Sequence, residues 1–136
     1  MIINKEKLEG CDQRVIDLSE YLDDMAEKKG TNFVASSGIR SKAYNKKIGG
    51  SLKSYHVLGL AMDGCFESVN IFKLVTELYY LCEKQEGVFE GIVQFEICRG
   101  IVWKKGKPIQ CQHFHFAFAK TKGKKSRISF FTGTYK

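Results

Sequence analysis

Between Cys111 and Ala119 the chain reads Cys-Gln-His-Phe-His-Phe-Ala-Phe-Ala, an alternation that constrains the fold more than any other stretch. Side chains of a β-strand point to opposite faces with a period of two. Phe114, Phe116 and Phe118 therefore share one face, and His113, His115, Ala117 and Ala119 share the other. The phenylalanine face has to be covered, and helices elsewhere in the chain are its natural cover. The other face holds two imidazoles among small neighbours, which leaves room for a cation and a substrate. A half-exposed strand with two idle histidines is the plainer alternative. Two adjacent imidazoles on one face favour the site.

The helices are easily found. Residues 12–29 carry Val15, Leu18, Leu22 and Met25 at helical spacing, with Asp12 as N-cap and Gly30 as stop. A second long helix is expected over 68–86, with Ile71, Leu74, Val75, Leu78 and Leu81 inward and Gly87 ending it. Residues 32–36 read as a short strand, and 41–48 as a short helix before a Gly49-Gly50 turn. Phe89–Cys98, Ile101–Trp103 and Gln112–Ala119 have strand composition, and Lys-Lys-Gly-Lys-Pro forms the turn between the last two. Ile128–Phe131 is a possible edge strand. Helices early and antiparallel strands late make an α+β fold, read as one domain over 1–136.

Composition narrows the class. At 136 residues, 43% hydrophobic and 27% charged, the chain matches an ordinary globular domain. No apolar run approaches the roughly 20 residues that span a bilayer. Charges interrupt the first residues where a signal peptide would be apolar, so the expectation is synthesis and retention in the cytosol. The five cysteines form no C-x-x-C pair, which points to reduced thiols rather than a disulfide framework. Cys111 stands apart because it lies two residues before His113. The net charge of +7 favours an anionic partner, such as nucleic acid or an acidic cell-wall polymer, unless the lysines merely keep the surface soluble. The basic clusters at 104–107 and 120–127 lack the interleaved aromatics that stack single-stranded bases, so charge alone does not choose the partner; the reading taken forward has no nucleic-acid partner.

The chain has three histidines, and the third, His56, lies in Ser54-Tyr-His-Val-Leu-Gly-Leu-Ala-Met-Asp63. A regular strand would point His56 and Asp63 to opposite faces, so the chain must bend between them, and Gly59 is where it can. Imidazole nitrogens with a carboxylate oxygen suit zinc, and three protein ligands leave a fourth tetrahedral position open, as in catalytic sites. Asp63 could equally be a turn residue before Gly64.

The order Ser37-Gly38-Ile39-Arg40, Tyr44-Asn45, Gly49-Gly50, then Ser54-x-His56-x-x-Gly59-x-Ala61-x-Asp63, and finally His113-Phe114-His115, resembles the zinc D-alanyl-D-alanine peptidases. These share a structural superfamily with lysostaphin-type endopeptidases and the hedgehog signalling domain. The likeness covers roughly residues 12 to 118. It implies a hedgehog-like fold, one zinc ion, and His56, Asp63 and His115 as its ligands. It implies His113 as the acid/base histidine, Arg40 at the substrate and the developing oxyanion, and Ser54 as a substrate contact or a local turn cap. Strand geometry alone would let either His113 or His115 bind the metal. The family's carboxylate-base position falls near Gln110 and Gln112, so the base is His113 or else Glu96. Glu96 is expected on the sheet surface or paired with Arg99.

The implied activity is hydrolysis of a peptide bond in the stem peptide of bacterial peptidoglycan, by a monomer with no membrane partner, in the manner of a phage lysin or virion-associated peptidase. Two rivals stand beside it. One is a zinc-containing binding module of the same fold. The other is a basic nucleic-acid-binding domain with a structural zinc held by Cys111 and the histidines, which would require four protein ligands.

Overall fold

The alternating segment becomes the middle strand of a five-stranded sheet. The computed structural model describes residues 1–49, 54–69, 73–104, 106–121 and 129–133, and for 98–104, 107–111 and 129–133 it describes the backbone. Strands β1 (Phe33–Ser37), β2 (Ala61–Phe66), β3 (Ile92–Lys104), β4 (Lys107–Phe118) and β5 (Ser129–Gly133) are ordered β1-β2-β4-β3-β5. Among the described residues, helices α1 (Gln13–Lys28), α2 (Lys42–Lys47) and α3 (Val75–Lys84) complete the α+β architecture.

Alternation along β4 sorts its side chains as the sequence requires. Phe114, Phe116 and Phe118 are buried, whereas His113 and His115 on the opposite face are partly open. The phenylalanine face joins Leu18 and Leu22 of α1, Leu78 and Cys82 of α3, and Phe33, Phe66 and Phe95 of the other strands in one core. Phe95 stacks on Phe116 at 5.1 Å between centroids, and Phe33 meets Phe66 edge-on at 6.0 Å. Offset and edge-on pairs like these add to what area burial supplies.

Helix α1 begins and ends where its caps dictate. The Asp12 carboxylate accepts the Arg14 N–H, and Gly30 beyond the last turn is left-handed at φ +71°. The Asp12 N–H donates to the Gly59 carbonyl at 2.8 Å, so the cap also anchors the loop that follows His56. Arg14 closes the other end of this layer, since its guanidinium donates to the Ala119 carbonyl and lies over the Phe118 ring.

Several expectations change. Helix α3 starts at Val75, not 68, because Ser68 is tied to β1's flank: its N–H and hydroxyl both reach the Thr31 hydroxyl. Its end is also earlier than Gly87. Gln85 takes the left-handed position, and its buried amide holds the Cys82 and Ile92 carbonyls and the Gly91 N–H. Ile71 and Gly50 lie outside the described residues. Two expected strands, Phe89–Cys98 and Ile101–Trp103, are a single β3, with Phe89 in a 3-10 turn before it. Residues 61–66 form a strand where only a bend near Gly59 was anticipated. Among the described residues the late strand runs Ser129–Gly133, with Ile128 outside them, and it pairs parallel with β3 while the other neighbours are antiparallel.

Gly64 shows why β2 tolerates a glycine. A methyl built there would lie 2.5 Å from the Phe33 ring and 2.8 Å from the Val34 carbonyl. Overpacking of a filled core costs about 1–3 kcal/mol, so Gly64→Ala should lose that much stability in urea unfolding at unchanged m-value.

Candidate metal centre

Strand β2 brings Asp63 directly opposite His115 of β4. His56 arrives from a loop instead. Its N–H donates to the Ser54 hydroxyl, its carbonyl accepts from the Gly59 and Arg40 N–H groups, and Gly59 turns the chain into β2 at φ +71°. That is the bend the His56–Asp63 spacing demands, and it lets both residues face the same point. His56 and Asp63 are buried, and His115 is partly so.

The donor atoms converge. One ligand atom each from His56, Asp63 and His115 lies within 4.8 Å of the others. His56 Nε2 is 3.3 Å and His115 Nδ1 2.7 Å from Asp63 Oδ1. Zinc bonds of about 2.0–2.2 Å at tetrahedral angles set neighbouring donors roughly 3.3–3.6 Å apart, so this spacing fits an ion after a small adjustment of His115.

Tautomers sharpen the fit. His56 Nδ1 lies 2.8 Å from the Gly38 carbonyl oxygen, which only accepts, so Nδ1 carries the hydrogen and a neutral ring turns its Nε2 lone pair toward Asp63. His115 Nε2 lies 3.0 Å from Gln94 Oε1, which leaves Nδ1 toward the same point. Two lone pairs and a carboxylate meeting at one place repel unless a cation or a proton stands among them. Where protons on the two rings take the place of a cation, burial pushes the Asp63 carboxyl up, but hydrogen bonds from His115 and His56, with the rings' charge, outweigh it and hold Asp63 well below the usual carboxylate range. Asp63 is thus anionic at neutral pH, as a metal ligand must be.

Arg40 and His113 stand beside this set. Arg40 Nη2 is 3.6 Å and His113 Nε2 3.9 Å from Asp63 Oδ2, the oxygen not used by the other two rings. Burial, with the charges of His115, His56 and Arg40, lowers the His113 pKa, while Asp63 opposes them. His113 therefore favours its neutral, proton-accepting form. Ser54 stays within the loop as the acceptor for His56 N–H. Glu96 lies in register with His115 on β3, so it shares the face of the site. Gln112 is exposed and falls on the phenylalanine parity of β4, away from the imidazoles. The side chains of Cys98, Arg99, Gln110 and Cys111 lie outside the described residues.

Sequence reasoning missed the partners of the ligands. Gly38 was legible as part of Ser-Gly-x-Arg, but its task is visible only in three dimensions. A side chain there would collide with the Lys7 carbonyl, and its own carbonyl orients His56.

The model for the family described as Peptidase M15 matches residues 1–95. The chain belongs to the peptidase M15 family. Its members are zinc peptidases, and the match takes in Arg40, Ser54, His56 and Asp63. It stops short of β4, so the third donor rests on the register that sets His115 against Asp63. No curated protein and no solved structure matches the chain. Among the described residues no helix is long and apolar enough to cross a membrane.

The geometry separates ligands from neighbours in a measurable way. Asp63→Ala and His115→Ala should each abolish stoichiometric zinc uptake, measured by mass spectrometry of the purified protein after metal loading. His113→Ala should retain one zinc per chain. Loss of the metal in the His113 variant, with retention in the His115 variant, would reverse the assignment.

Proposed function

We propose that this chain is a zinc-dependent peptidase that hydrolyses a peptide bond in the stem peptides of bacterial peptidoglycan, with D-alanine on at least one side of the bond. The observation that carries the reading is the convergence of His56 Nε2, Asp63 and His115 Nδ1 with Arg40 and His113 beside them. Family membership supports the peptidase chemistry. The net charge of +7 suits an anionic cell wall, and a wall-degrading role of the phage-lysin kind agrees with it.

When bound, zinc supplies Lewis-acid chemistry, polarising a carbonyl and making water acidic enough to attack near neutral pH. The protein supplies the remainder. His113, held neutral by burial, accepts the proton released as water adds to the carbonyl carbon and returns it to the leaving amine. Arg40, partly buried and close to Asp63, offers a fixed positive charge to the oxyanion that develops as the carbonyl becomes tetrahedral. Its planar fork also suits a substrate carboxylate, the group that a terminal D-alanine would present. Ser54, two residues before His56, accepts the His56 N–H and so shapes the loop that presents the ring; its hydroxyl is the proposed further substrate contact.

Digestion of purified sacculi and defined muropeptides, with products weighed by mass spectrometry, tests this reading. Cleavage should stop with a chelator and return with added zinc. Arg40→Ala should keep its zinc yet lose about 10²–10³ in kcat, the usual cost of deleting one oxyanion donor. A zinc-loaded protein that releases no fragment from any stem peptide would instead establish a recognition module.

A further inference from the structure

We propose that Gln94 is a positioning residue that fixes the tautomer and ring orientation of His115, and so sets the affinity of the metal centre. The inference rests on the zinc reading above and deepens it. Gln94 appears in no motif of the sequence.

Three observations bring it to the site. Strand β3 shifts register between Ile92 and Gln94, where Val93 is the extra residue. Bulges bend a strand and re-aim the side chains beyond them. Here Ile92 stays buried in the core while Gln94 and Glu96 fall on the histidine face. Second, Gln94 pairs with Ala117, whose small side chain leaves the amide room to lean diagonally toward His115. Third, the contact itself is well formed, with 3.0 Å between Gln94 Oε1 and His115 Nε2. With Nδ1 turned toward Asp63, Nε2 carries the hydrogen, so the amide presents its oxygen as acceptor.

The two ligand histidines are therefore held by different means. His56 is oriented by a main-chain carbonyl, which no side-chain replacement removes. The partner of His115 is a side chain, so this half of the orientation can be altered by mutation. Gln94 is also neutral, and a neutral acceptor leaves the ring a weaker donor than a carboxylate in the same place would. Partners of metal-ligating histidines typically contribute about 10–100-fold in metal affinity.

Zinc affinity of the purified protein, measured by competition with a chromophoric chelator, tests the assignment without reference to catalysis. Gln94→Met keeps the length and removes the acceptor, and should weaken zinc binding about 10–100-fold. Gln94→Asn keeps the amide but falls short by one methylene, and should weaken it similarly. Gln94→Glu restores an acceptor at full reach and should bind at least as tightly as the wild type. Thermal melts of the metal-free variants report folding independently of the metal. Wild-type affinity in the Met variant, or equal losses in the Met and Glu variants, overturns the role of Gln94. A wild-type protein that takes up no zinc overturns the metal reading itself, and this inference with it.

Discussion

Asp63 and His115 face each other across two antiparallel strands, and that single cross-strand pair decides where everything else at the site must stand. A carboxylate buried in a protein interior is costly unless it is paired. Here it is met by imidazoles from a loop and from the neighbouring strand, with Arg40 on its second oxygen. The register also fixes which face of β4 is wet. A slip of one residue would bury the histidines and expose Phe114, Phe116 and Phe118, so the core and the site enforce the same alignment.

Around this pair the protein keeps side chains small. Gly38 admits the Lys7 carbonyl, Gly64 admits the Phe33 ring, and Ala61 and Ala117 are paired within the sheet next to Asp63 and His115. The packing thus leaves the open face to polar groups while the opposite face is filled with aromatic rings. Gln85, clamped to the end of α3 and the start of β3, fixes the point from which β3 runs toward its bulge. Helix α1 does the equivalent for the other side, because its N-cap is bonded to Gly59.

What could be read from sequence was what local rules govern. The phenylalanine alternation gave the buried face of β4, and Asp12 and Gly30 marked the ends of α1 through side-chain and backbone preferences. The spacing of His56 and Asp63 demanded a bend, and Gly59 makes it. Strand β2 escaped notice because Ala-Met-Asp-Gly-Cys-Phe has weak strand propensity, and its extended form is imposed by β1 and β4 on either side. The start of α3 was misjudged because the Ser68–Thr31 contact joins residues 37 apart, which no periodicity reports. Gln94 was hidden for a related reason: its place depends on a bulge, and a bulge is a property of two strands together. The direction of β5 was likewise invisible, since strand composition does not encode parallel or antiparallel pairing.

The division of donors along the chain has a temporal consequence. His115 follows Asp63 by 52 residues, which at ~5–20 residues per second of ribosomal synthesis is an interval of about 3–10 s. During that interval the emerging polypeptide owns one imidazole and one carboxylate but not the third donor. The three donor side chains therefore cannot meet until β4 has been made, so the order of synthesis places assembly of the centre after most of the sheet exists.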